Sequence, residues 1–201
     1  SPGPPVNMSQ DALKRVFDRI DSLQQQVVED LRRLVAIPSI SGHGDACRDA
    51  AAATAELCVA AGFSTEVWNG PGAPTVFAEI PAPSGKPTVL FYGHYDVQPV
   101  EPLDAWTTPP FEPTIRDGAL FGRGAGDNKG QFLAHIAAVQ ALEETIGCPL
   151  GVKLLIEGEE EMGSPHLEGL VAANTDRLAC DLTITADGPY HTDGNPLIIF
   201  G

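Results

Sequence analysis

No stretch of this chain is apolar for long enough to cross a bilayer, which takes about 20 such residues in a helix. A membrane is therefore not an expected partner. Basic residues are scarce: 12 Lys and Arg stand against 27 Asp and Glu, a formal net charge of -15. Nucleic acids and anionic surfaces are held by clustered Lys and Arg, so no nucleic acid is expected either. An excess of carboxylates suits a protein that holds divalent cations. Residues 1–7 have neither a basic start nor an apolar core and do not read as a signal peptide. Their Pro and Gly content gives a disordered tail over residues 1–8. The four cysteines, Cys47, Cys58, Cys148 and Cys180, form no C-x-x-C pair. Cys47 and Cys58 fall on one predicted helix about 16 Å apart, too far for a bridge. All four read as reduced, mostly buried thiols of a cytoplasmic protein, not as thiolate zinc ligands.

What is present is an ordinary globular composition, 43% hydrophobic and 19% charged over 201 residues, enough for one large domain. Ser9 is an N-cap candidate. After it Leu13, Val16, Phe17, Ile20, Leu23, Val27, Leu31 and Leu34 recur at steps of three and four, the stripe of a long amphipathic helix stopped by Pro38. His43 reads as a solvated loop histidine. A second, Ala-rich helix spans about residues 46–61 and ends at Gly62. Strands follow at 65–68 and 75–80, separated by Asn69-Gly70-Pro71-Gly72. Helix, helix and then strands opens an α/β layer.

The centre of the chain is Thr88-Val89-Leu90-Phe91, a short β-branched and aromatic run that reads as a buried strand of a mainly parallel sheet. It leads into Tyr92-Gly93-His94-Tyr95-Asp96-Val97-Gln98-Pro99. Loops at the carboxyl ends of such strands carry the chemistry of α/β proteins. An imidazole ligates metal through one nitrogen when the other is held, and a carboxylate such as Asp96 is a usual holder. Trp106, in the Pro-rich loop beyond, reads as packing. Asp117-Gly118 marks a hairpin turn.

Three acidic clusters follow. Asp127 lies in Gly122-Arg123-Gly124-Ala125-Gly126-Asp127-Asn128-Lys129-Gly130, ahead of a helix over about residues 130–145. The glycine spacing fails both nucleotide fingerprints, and a carboxylate stands where phosphate would lie. Close backbone approach to a metal site is the better use of these glycines. His135, on the helix, reads as a core or sheet-facing imidazole. The strand at 151–156 runs into Glu157-Gly158-Glu159-Glu160-Glu161. Four carboxylates at a strand end repel one another unless a cation is present. A short helix at 166–173 is expected to start on Ser164-Pro165, with His166 structural. The strand at 181–185 ends in Asp187. Tyr190 and His191 lie beyond it, and a last strand is expected at 196–201.

One His and three acidic clusters supply the ligand types of a two-metal site, although spacing alone does not establish that they converge. Taken together, Tyr92-Gly93-His94-x-Asp96-Val97-Gln98-Pro99, Gly122-Arg123-Gly124-x-x-Asp127-x-Lys129-Gly130, Glu160-Glu161-x-Gly163-Ser164 and Asp187 resemble the co-catalytic zinc peptidases. That family includes carnosinase-type dipeptidases, aminoacylases, and the acetylornithine and succinyl-diaminopimelate deacylases. The His-Tyr-Asp-Val-Gln-Pro form resembles the dipeptidase branch.

The resemblance implies a three-layer α/β catalytic domain with a mixed, mainly parallel sheet flanked by helices. It implies two zinc ions, with manganese or cobalt as alternatives. His94 and Asp187 would ligate one, Asp127 would bridge both, and Glu161 would ligate the second. Asp96 would orient His94, and Glu160 would be the general base that takes a proton from the bridging water. Arg123 would support the Asp127 loop, and the peptide bond from Asp127 to Asn128 would be cis. The implied substrate is a small peptide, or an N-acyl amino acid if the chain belongs with the deacylases. A fold that keeps its motifs without catalysis is the third reading. Residues 9–201 would be the N-terminal part of the catalytic domain. A lid domain that makes a homodimer, and a last His ligand, would lie outside it. The 201-residue piece alone is expected to lack full activity.

Overall fold

The computed structural model describes residues 8–188. The expectations for residues 1–7, for Tyr190 and His191, and for a strand at 196–201 lie outside the described residues. Helix α1 (Gln10–Val35) begins where Ser9 Oγ accepts the Ala12 N–H at 3.1 Å. Its stripe is narrower than the periodicity suggests. Val16 and Leu23 pack on Ala141, whereas Phe17 and Ile20 are exposed, because one helix covers only part of the face. Helix α2 (Gly44–Ala60) is Ala-rich and packs closely, and Gly62 follows at φ +94°.

The strands are β1 (Ser64–Trp68), β2 (Thr75–Ile80), β3 (Thr88–His94), β4 (Thr114–Arg116), β5 (Ala119–Phe121), β6 (Gly151–Glu157) and β7 (Leu182–Thr185). Helix α3 (Lys129–Glu143) stands between β5 and β6, and α4 (Leu167–Ala173) and α5 (Thr175–Leu178) stand between β6 and β7. The β4–β5 hairpin turns on Asp117 and Gly118, both at positive φ, as a primed two-residue turn requires.

Five strands form one sheet in the order β1-β2-β6-β3-β7. β3 is parallel to β6 and β7, and β2 is antiparallel to both of its neighbours. β2 is thus the one reversed strand of the five. Alternation sorts the two faces. Val76, Ala78, Val152, Leu154 and Ile156 face α2 and α3, while Phe77, Leu90 and Leu155 meet Leu178, Leu167 and Leu170 on the α4–α5 side. The result is three layers: helices, sheet, helices. The crossover from β3 through α3 reaches β6 on one side of β3, and the return from β6 through α4 and α5 reaches β7 on the other. Such a reversal of strand order opens a crevice at the carboxyl ends of the strands.

The expected start of the helix after Glu161 is corrected. α4 begins at Leu167, and His166, the residue before it, makes no side-chain cap bond. Ser164 sits at φ +48° and its hydroxyl goes to Glu157 Oε1 at 2.6 Å instead. A capping hydroxyl accepts a backbone N–H, whereas this one donates to a carboxylate and stands two residues before the N-cap His166.

Candidate functional site

Three parallel strands end together. β3 ends at His94, the turn after β6 carries Glu160 and Glu161, and Asp187 follows β7 by two residues. Asp127 comes from the loop that opens α3. The peptide bond from Asp127 to Asn128 is cis.

His94 is the centre of the cluster and is fully buried. Its Nδ1 lies 3.0 Å from the backbone O of Asp96 and 3.3 Å from Asp96 Oδ1. The holder is thus first a carbonyl, with the carboxylate behind it. Its Nε2 is buried without a hydrogen-bond partner. Around that nitrogen stand Asp127 Oδ1 at 3.0 Å, Asp187 Oδ2 at 3.4 Å and Glu160 Oε2 at 3.7 Å. Burial disfavours the charged imidazole, but the bonds to Asp96 and the nearby carboxylates outweigh it and raise the pKa to about 9. Two groups have ligand atoms within 4.8 Å of one another: His94, Asp127 and Asp187, and His94, Glu160 and Glu161. A buried, unpartnered imidazole nitrogen facing carboxylates is a donor set that fits a divalent metal with N and O ligands, zinc among them.

Asp96 holds the other side together. Fully buried, it accepts the Ser41 hydroxyl and the backbone N–H groups of Glu160 at 3.2 Å and Glu161 at 3.1 Å. Burial pushes its pKa up, yet these bonds and His94 hold it below the usual value. Glu160 is half-buried, and its pKa is raised, first by burial and then by Asp187 and Glu161 against the pull of His94.

The four carboxylates at 157–161 do not crowd one another in the way their spacing suggests. Glu157 turns inward and accepts the Tyr92 hydroxyl at 2.5 Å, and Glu159 pairs with His166 Nδ1 at 2.8 Å. Only Glu160 and Glu161 join His94, because the turn at Glu160–Met162 points successive side chains different ways. Arg123, itself in the loop that carries Asp127, donates from its guanidinium to Pro99 O at 3.1 Å and stands 5.1 Å from the Trp106 ring, so it ties that loop to the Pro-rich loop. Trp106 packs there, with Nε1 donating to Val100 O at 2.8 Å. His135 stacks on Phe91 at 4.2 Å.

Sequence reasoning gave no role to four neighbours of the site. Ser41 reaches Asp96 from the loop before α2. Gln98 Nε2 donates to Glu161 Oε2 at 2.6 Å. Asn128 bonds the His94 backbone, and Lys129, fully buried, donates to Leu34 O and Ile37 O at 2.9 and 3.0 Å. Gln98, Asn128 and Lys129 stood inside the motifs, so their place was a signal. Nothing in the sequence pointed to Ser41.

The chain is similar to Beta-Ala-His dipeptidase of Homo sapiens at 36% identity, a match that covers 100% of this chain and 43% of the relative. It is 37% identical to the succinyl-diaminopimelate desuccinylase of Dechloromonas aromatica (strain RCB), over 59% of this chain and 30% of the relative. The crystal structure of human carnosine dipeptidase 1 superposes with a TM-score of 0.82 at 36% identity, covering 89% of this chain and 42% of that chain. The chain spans less than half the length of these relatives. Residues 90–196, more than half of the chain and including His94, Asp127, Glu160, Glu161 and Asp187, match the model of peptidase family M20/M25/M40, and the chain belongs to that family.

Proposed function

We propose that the protein hydrolyses the peptide bond of dipeptides or short peptides at a two-metal centre, with zinc as the metal and Glu160 as general base. The observation that carries this is the buried His94 Nε2, without a hydrogen-bond partner and ringed by Asp127, Asp187 and Glu160. His94 and Asp187 would hold one metal, Asp127 would serve both, and Glu161 would hold the second. Metal bound there supplies Lewis-acid polarisation of the scissile carbonyl and activation of water.

The chain's own groups do the rest. Asp96 fixes the orientation of His94 and, through two N–H groups, the position of Glu160 and Glu161. The raised pKa of Glu160 suits it to take a proton from water and deliver it to the departing amine. A cleft of about 770 Å³, lined by Asp127, Gln131, His135 and Asp187, opens on the α3 side of the cluster. Asp127 and Glu161 give the second metal two ligands, where catalytic zinc takes three from protein. This reading therefore requires one more protein ligand for the second metal.

The similarity to a succinyl-diaminopimelate desuccinylase supports a second reading, hydrolysis of an N-acyl amino acid by the same groups. The test is amine release from Beta-Ala-His and other dipeptides against N-succinyl amino acids. It uses the protein in its full natural length, chelated and then reloaded with zinc. Zinc-dependent cleavage of dipeptides, lowered about 10²–10⁴-fold by Glu160→Gln, is expected. Cleavage of N-succinyl substrates alone selects the second reading. No cleavage of either by the zinc-loaded protein contradicts both.

A further inference from the structure

We propose that Asn128 is a positioning residue of the metal centre: its side-chain amide ties the strand ends that carry His94 and Asp187 to the loop that carries Asp127. The inference rests on the metal-dependent reading above and extends it to a residue that touches no metal.

Asn128 follows Asp127 directly and is 1% exposed. Its Oδ1 accepts the backbone N–H of His94 at 3.2 Å. Its Nδ2 donates to the backbone O of Ala186 at 3.0 Å and to Gln131 Oε1 at 2.7 Å. The amide orientation is fixed by these partners, since a backbone N–H only donates and a backbone carbonyl only accepts. One side chain thus bonds β3 at His94 and the end of β7 next to Asp187, from the residue that adjoins Asp127. These are the three members of one ligand group, which meet around His94 Nε2.

A second observation supports the same assignment. A Cβ on Gly93 would lie 2.7 Å from Asn128 Oδ1 and 3.1 Å from Phe132 Cβ. The residue before His94 must lack a side chain for the amide to reach the backbone of β3. Gly93 and Asn128, 35 positions apart, are therefore two halves of one device. The chemistry asks for a donor and an acceptor at opposite ends of a short planar group. An aliphatic side chain supplies neither and leaves the buried His94 N–H and the part-buried Ala186 C=O without this partner.

The test is Co²⁺ titration of chelated protein, followed by the visible absorption of the bound metal, on wild type, Asn128→Ser and Gly93→Ala. Both variants keep every metal ligand. Circular dichroism of the metal-free proteins establishes that each is folded. Outer-shell partners of metal ligands are worth about 10–100-fold in affinity. A loss of that size, with a shifted absorption band, is expected in each folded variant. Wild-type affinity and an unchanged band in the folded variants overturn the proposal, and if one variant does not fold the other decides by the same criterion. Wild-type protein that takes up no Co²⁺ overturns the metal-dependent reading itself, an outcome that needs no variant to recognise.

Discussion

Asp96 Oδ2 accepts the backbone N–H of Glu161 at 3.1 Å, across 65 positions of sequence. The same carboxylate accepts the Glu160 N–H and lies behind His94 Nδ1, so one buried anion sets two edges of the cluster against each other. Asp96→Ala leaves these donors and the Ser41 hydroxyl without their acceptor. A charge-assisted bond contributes about 1.5–3 kcal/mol, and a loss of that order in denaturant unfolding is expected. The folded pKa of Asp96 is depressed, so its contribution is present above the ordinary carboxylate pKa and disappears as pH falls through the lower, folded value. Acid unfolding that is unchanged in Asp96→Asn would contradict this.

Metal uptake by the chelated protein is expected to depend on pH through His94. With its pKa raised to about 9, the free imidazole is protonated at neutral pH, and a metal ion must displace that proton. Affinity therefore rises with pH up to about 9 and levels off above it. Calorimetric titration at pH 7.5 in two buffers of different ionisation enthalpy should report release of about one proton per metal. Binding that does not vary between pH 6.5 and 8.5 would contradict it.

Lys129 ties the end of α1 to the start of α3. Burial lowers its pKa to about 7 against the nearby Cys47 and Asp96, which raise it. The unfolded chain holds the Lys129 proton up to about pH 10.5, so between the two values the unfolded state binds more protons and this residue's contribution grows with pH. Lys129→Met leaves the Leu34 and Ile37 carbonyls unpaired at a cost of about 1–3 kcal/mol. The cost, from urea midpoints, should be larger at pH 9 than at pH 6.5.

Most of the fold was legible because its signals are local. Ser9 at the start of α1, the apolar runs of β3 and β6, Gly62 after α2 and the Asp117-Gly118 turn each act within a few residues. The meeting of His94 with Glu160, Glu161 and Asp187 rests on strand order, which no window of sequence contains. Neither the outward turn of Phe17 and Ile20 nor the inward turn of Glu157 was legible, since each depends on what a neighbouring element covers. The role of Asp96 as acceptor for Glu160 and Glu161 was hidden for the same reason. Its proximity to His94 was plain, but its 64- and 65-residue contacts were not.

The most direct measurement is zinc bound per chain, by elemental analysis after equilibration and buffer exchange, on the protein and on Asp127→Ala. At least one tightly held zinc, lost or weakened in the variant, is expected, because Asp127 Oδ1 lies closest of the carboxylates to His94 Nε2. Folded protein that holds no zinc, or the same zinc with and without the Asp127 carboxylate, would contradict a metal centre at His94.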